Sequence, residues 1–131
     1  MSKYLTYPDV IFKDRRLLLA ALKDLGYSDV EEGQALPLYG YQNDRRPETA
    51  EIVIRRRFVG SLSNDIGFGR TAEGFVPILS EFDRRTLVHG QFLAKLRTAY
   101  NERVVEEVAR RLHGRAQRTV EGSLVKIRVR Y

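Results

Sequence analysis

The sequence predicts a single α+β domain over residues 1–131, with an antiparallel, meander-rich sheet and two main helices packed on one face, in the order β-α-β(n)-α-β-β. Three observations carry that expectation. The chain has 131 residues, the size of one domain with one real core. Two stretches, 15–25 and 91–112, repeat apolar residues at helical spacing. Between and after them, short apolar segments are separated by Gly, Asn and Asp turns, with no repeat or linker to divide domains; strands run together in this way form antiparallel sheets with helices on one side.

Taken in order, Tyr4 to Phe12 mixes aromatic and β-branched residues around Pro8, which predicts an edge strand or extended arm through Val10, Ile11 and Phe12. Asp14 is placed to cap a helix whose apolar stripe runs through Leu18, Ala21, Leu22 and Leu25, widened by Leu17 and Leu19, and Gly26 is placed to end it. Tyr27–Gly33 and Leu36–Gln42 read as weak strands or loops leading to a polar turn at Asn43–Pro47. Ala50 to Val59 is the clearest strand, with Ile52, Ile54 and Phe58 among charged neighbours and the run Arg55-Arg56-Arg57 within it. Ile66–Phe68 and Phe75–Leu79 then form hairpins around turns at Ser61–Asp65 and Thr71–Gly74. Asp83–His89 is a separate short helix. The long helix follows through Leu93, Leu96, Tyr100, Val104, Val108 and Leu112, with its end at His113-Gly114. Gln117 to Tyr131 closes the chain as a hairpin turning at Glu121-Gly122.

Composition removes several chemistries. There is no cysteine, which excludes disulfides, thiol catalysis, thiolate zinc sites and iron–sulfur ligation. The only histidines, His89 and His113, each precede a glycine at a helix end and lie in no nucleophile motif, so both read as structural. Glu31-Glu32, Glu81 with Asp83, and Glu106-Glu107 have no ligand spacing, and Glu106 and Glu107 are placed to pair with Arg103, Arg110 or Arg111; no metal or other cofactor is implied. Gly67-Phe68-Gly69 lacks the following helix and Lys-Ser/Thr pair of a phosphate loop, and reads as hairpin glycine, with Asn64-Asp65 capping a turn. The amino-terminal stretch has no apolar run of signal-peptide or membrane-spanning length, so a cytoplasmic location, or the plastid stroma as its equivalent, is expected without a membrane partner.

The basic residues are the one constellation with weight as a binding feature. The net charge is +6, and Arg outnumbers Lys 18 to 5, which suits bidentate contact with carboxylate or phosphate and also arises from a GC-rich genome. Arg55, Arg56 and Arg57 on one predicted strand, with Lys126, Arg128 and Arg130 alternating on the last, are the candidate contacts for an anionic partner. Tyr41 and Tyr131 are the aromatic residues expected to stack on bases if that partner is nucleic acid. The competing reading is a solvated face whose arginines pair with Glu51, Glu121 and helix acids.

Several short segments, Leu22-Lys23-Asp24-Leu25-Gly26, Gly40-Tyr41-Gln42, Ala50-Glu51-Ile52-Val53-Ile54, Asn64-Asp65-Ile66-Gly67-Phe68, Tyr100 and Gly122-Ser123-Leu124, recur here in one order. Together they resemble the hypothetical chloroplast reading frame thirty-five family of cyanobacteria, plastids and other bacteria. The resemblance brings no catalytic residue or cofactor, and it leaves the roles of Gly40, Tyr41, Gln42, Asn64, Asp65, Gly67, Phe68 and Tyr100 unassigned. It implies an accessory protein whose partner is a small companion protein or an ATPase of the AAA type. The expected function is therefore a non-enzymatic interaction module, recruiting partners at strand edges near either chain end. The alternative is a nucleic-acid-binding domain, and an enzyme comes third, with Asp65, Glu73 and Tyr41 as the polar residues that would have to meet in a cleft.

Overall fold

The structure, a computed structural model, describes residues 2–112 and the backbone of 115–121 and 124–130. Five strands, β1 (Tyr4–Thr6), β2 (Glu31–Tyr39), β3 (Arg45–Ile54), β4 (Ile66–Thr71) and β5 (Gly74–Ser80), form one sheet in the order β1-β5-β4-β3-β2, antiparallel throughout. The helices are α1 (Arg15–Asp24), α2 (Glu81–Thr86) and α3 (Phe92–Arg111), and β6 (Arg115–Glu121) pairs with β7 (Leu124–Arg130) as a separate hairpin. The α+β class and its antiparallel sheet are as the sequence predicts. No helix among the described residues is long and apolar enough to cross a membrane.

The two main helices cover one face of the sheet. Leu18, Ala21 and Leu22 of α1 and Phe92, Leu96 and Tyr100 of α3 bury against Ile52, Ile54, Ile66, Phe68 and Leu79. Helix α1 begins where the Asp14 carboxylate accepts from the Leu17 amide at 3.1 Å. It ends at Gly26, whose φ of 99° lets the Tyr27 amide reach back to the Leu22 carbonyl at 2.9 Å. Tyr100 ties the helices together: its ring meets Phe12 edge-on at 5.1 Å, and its hydroxyl accepts from the Asp14 amide at 3.0 Å.

The opposite face has its own smaller core of Tyr4, Leu38, Ala50, Val53 and Ile78. The β2–β3 hairpin makes this core by bending back across the sheet, helped by register shifts between Glu32 and Leu36 and between Pro37 and Tyr39. Leu38 thereby closes over Gly67, where a β-carbon would stand 2.7 Å from Ala50 Cβ and 3.1 Å from Leu38 Cδ2. The bend also brings the sheet's two edge strands together at one end: the Tyr4 hydroxyl of β1 lies 3.4 Å from the Tyr39 carbonyl of β2.

Several local expectations are corrected. The first strand lies before Pro8, because Pro8 and Asp9 enter a turn closed by the Val10 amide on the Tyr7 carbonyl, and Phe12 keeps only a bridge to Phe75. Residues 31–39 form one continuous bulged strand rather than weak pieces. The hairpin turn is Gly40–Asp44, closed by Gly40 and Asp44 backbone groups at 2.9 Å, so Pro47 falls within β3. Strand β3 stops at Ile54, and Arg56–Phe58 is a single 3-10 turn. The short helix starts at Glu81, where the Ser80 hydroxyl caps it by accepting from the Asp83 amide. The last hairpin pairs from Arg115; the His113-Gly114 helix end, the Gly122 turn and Tyr131 lie outside the described residues.

Candidate functional site

Two of the segments singled out in the sequence, Gly40-Tyr41 and Asn64-Asp65, meet at the end of the sheet where its edges converge. Asp65 is 1% exposed, and a buried carboxylate must find donors. Its Oδ1 accepts from the Arg56 amide at 2.7 Å, and its Oδ2 from the Tyr39 amide and from Arg55 Nη1, both at 2.8 Å. Its main chain donates to the Tyr39 carbonyl at 3.0 Å and accepts from the Tyr4 hydroxyl at 2.6 Å. The capture of the Arg56 amide by Asp65 is what ends β3, because that N–H is no longer offered to a neighbouring strand.

Asn64 makes the second half of the knot. Its Oδ1 accepts from the Tyr41 amide at 2.9 Å, and its Nδ2 donates to Ser80 Oγ at 2.9 Å and to Asp83 Oδ2 at 3.2 Å. Asp83 Oδ2 also receives the Asn64 amide and the Ser80 hydroxyl, while Asp83 Oδ1 is buried without a protein donor. One residue pair thus fixes the β2–β3 turn, the loop leading to β4 and the start of α2 relative to one another. Electrostatics follow the geometry. Burial, reinforced by the charges of Asp65 and Asp83, pushes the Tyr4 phenol well above its usual range. The hydrogen bonds that Arg55 donates to the Glu31 carboxylate, and a further one to Asp65, hold it still more firmly protonated. The same Arg55 contact lowers the Glu31 carboxyl.

The loops around this knot expose three large apolar side chains among polar ones. Leu62 is 67% exposed, Phe58 40% and Tyr41 36%; the other exposed large apolar side chains among the described residues, Val108 and Leu112, lie at the far end of α3. Tyr41 and Leu62 line a cleft of about 460 Å³ with Phe82, Arg85, Glu81 and Ser2 around an Asn64 floor. A second cleft, of about 300 Å³, runs past Tyr39, Asn43 and the three consecutive arginines.

Those arginines are not a free cationic strip. Arg55 is committed to Glu31 and Asp65, and also donates to the Pro37 carbonyl at 2.8 Å. Arg56 donates to the Ser61 and Ser63 carbonyls at 2.8 and 3.1 Å. Arg57 alone points its charge outward, over the Phe58 ring at 4.8 Å. Glu51, expected to pair with arginines of the basic face, pairs with Arg70 of β4 and with Arg15 of α1. Glu106 and Glu107 pair with Arg103, Arg110 and Arg111 as their spacing predicts. The side chains of Lys126, Arg128 and Arg130 lie outside the described residues.

Of the remaining singled-out residues, Gly67 sits beneath Leu38, and Phe68 is in the helix-side core. Gln42 is exposed, with its amide 3.2 Å from the Tyr41 hydroxyl. Tyr100 belongs to the helix layer, away from the knot. The enzyme trio does not assemble, because Glu73 is exposed in the turn between β4 and β5, at the opposite end of β4 from Asp65. Phe58, Leu62, Phe82 and Arg85 had no place in the sequence reading as site residues. The available signal was an apolar Leu62 inside the turn-forming run Gly60-Ser61-Leu62-Ser63-Asn64, where burial has no use for it.

Residues 21–124 match the family described as "Protein of unknown function (DUF1257)". The chain belongs to that family. The family match spans the whole knot except its Tyr4 contact, so the β2–β3 turn, Asn64-Asp65 and Asp83 all lie in its shared part. No curated protein and no solved structure matches the chain.

Proposed function

We propose that the chain is a non-enzymatic accessory module that holds a protein partner on the Tyr41–Phe58–Leu62 end of the domain. The observation that carries this reading is the combination of three exposed large apolar side chains with a backbone fixed beneath them by fully buried polar groups. Exposed apolar residues gathered at one end mark association surfaces, and a surface already held in place gives up little entropy on binding. The likeness to the chloroplast reading frame thirty-five family supports a partner of the small-companion or AAA-type ATPase kind. The nucleic-acid reading is weakened by the internal commitments of Arg55 and Arg56.

The test is affinity purification of the full chain from native lysate, with and without nuclease, for the wild type and for Leu62→Asp. A defined protein set retained after nuclease and lost with Leu62→Asp supports the module. A bound set that vanishes with nuclease moves nucleic acid to first place.

A further inference from the structure

Going beyond that reading, we propose that the β6–β7 hairpin is a second and separate binding element, one face of which takes the phosphate backbone of a nucleic-acid strand.

The hairpin pairs with no strand of the five-stranded sheet and stands as a sheet of two. Its register sorts its residues by face, because residues directly opposite one another in an antiparallel pair share a face and neighbours along a strand alternate. The pairs Arg115 with Arg130, Gln117 with Arg128 and Thr119 with Lys126 fall on one face. Ala116 with Val129, Arg118 with Ile127 and Val120 with Val125 fall on the other, where Arg118 is the one charge. The single acid of the hairpin, Glu121, stands at the turn end opposite Leu124 and diagonal to Lys126. Arg115, Arg128 and Arg130 therefore have no acid among their ladder neighbours. Like charges directly opposite destabilise a strand pair, so Arg115 across from Arg130 is a cost to the hairpin that an anion along this face offsets.

A compositional bias toward arginine does not produce this pattern. Residues 115–130 hold five basic and one acidic residue, whereas residues 1–114 hold 18 and 16, so acids are missing from the hairpin alone. In the body of the domain Arg15, Arg46, Arg55, Arg70 and Arg103 each meet a carboxylate. The spacing selects the ligand. A strand rises about 3.3 Å per residue, so Lys126, Arg128 and Arg130 recur about every 6.6 Å, close to the separation of successive phosphates along a nucleic-acid strand. Guanidinium forks match phosphate oxygens, and Gln117 and Thr119 are uncharged residues of the kind that position phosphate. A two-stranded ribbon also fits the major groove. An acidic protein segment offers no such fixed repeat of charge.

The experiment follows fluorescence anisotropy of a labelled mixed-sequence DNA duplex, and of a single-stranded RNA of the same length, titrated with the full chain over a salt series. Wild type should bind at least one of them, its affinity falling linearly with salt on logarithmic axes. Lys126→Gln/Arg128→Gln/Arg130→Gln should bind about tenfold or more weakly at low salt, with a slope shallower by about 2–3. Gln117→Arg adds a cation to the same face and should bind more tightly, with a slope steeper by about 1, an outcome that misfolding does not give. The control Lys23→Gln/Lys95→Gln/Arg97→Gln removes three exposed cations from α1 and α3 and should change the slope by less than about 1. No binding by wild type, an equal loss in the control, or no gain in Gln117→Arg overturns the proposal. So does equal affinity for polyglutamate, which would assign the face to an acidic protein segment. Leu62→Asp should bind nucleic acid as the wild type does, so this result and the capture of a protein partner fail independently.

Discussion

Replacing Asp65 by Ala removes the acceptor for two backbone amides and one guanidinium hydrogen bond at a site that is 1% exposed. Each net hydrogen bond is worth about 1 kcal/mol, and donors left buried without a partner add to the loss. Breaking a fully buried charge pair from one side costs about 3–5 kcal/mol, and because Arg55 keeps Glu31 as a partner the loss should lie at the lower end of that range. Glu31 touches the same arginine from a side chain that is 49% exposed, so Glu31→Gln should cost only about 0–1 kcal/mol. Removing both partners in Asp65→Ala/Arg55→Met should cost less than the two single losses added together, because Arg55→Met alone leaves the buried Asp65 carboxylate without its cation and the double variant does not. Equilibrium urea unfolding measures all four, with the midpoint shifting at constant slope. A loss under about 1 kcal/mol in Asp65→Ala, or a Glu31→Gln loss as large as that of Asp65→Ala, would refute the argument that the buried carboxylate, and not the surface ion pair, holds the knot.

Other perturbations have equally definite outcomes. The Tyr4 phenol is held protonated by burial, while in the unfolded chain it ionises near pH 10. Above about pH 10 the unfolded state therefore binds fewer protons, and stability should fall with rising pH. In Tyr4→Phe that alkaline slope should be shallower by up to about 1.4 kcal/mol per pH unit, with Tyr7 and Tyr27 supplying the remainder; denaturant titrations at stepped pH would show it. Gly67→Ala should destabilise by about 1–3 kcal/mol, because its methyl group meets Ala50 and Leu38 across a closed core; an unchanged melting temperature would contradict the overlying hairpin. His89 is exposed at φ 52° and ψ 37°, so His89→Gly should leave stability equal or raise it by up to about 1 kcal/mol, and a comparable loss in urea unfolding would contradict the left-handed turn.

Much of the fold was legible because its signals are local. The helix from Asp14 to Gly26 has its cap, its stripe and its terminator in one window, and the 92–111 helix has its periodicity. The errors fell where a distant residue decides. Arg55-Arg56-Arg57 continues a strand pattern by sequence, and it turns because a carboxylate nine positions along takes the Arg56 amide. Residues 31–39 read as weak because Pro37 and the bulges obscure alternation, and they are held by pairing with β3. The site shows the same division. Gly40, Tyr41, Asn64 and Asp65 were noticed as motifs, but their meeting is a tertiary fact. Phe58, Leu62 and Arg85 are meaningful only once their exposure is known.

The central claim is that the Tyr41–Phe58–Leu62 end is where a protein partner sits. Its most direct test is site-specific photo-crosslinking in the native host, with a benzoylphenylalanine at Leu62 and, as control, at the exposed Gln91 preceding α3. The account predicts a discrete protein adduct from the Leu62 position and none from Gln91. Equal adducts from both positions, or adducts from Leu62 that are nucleic acid, would contradict it.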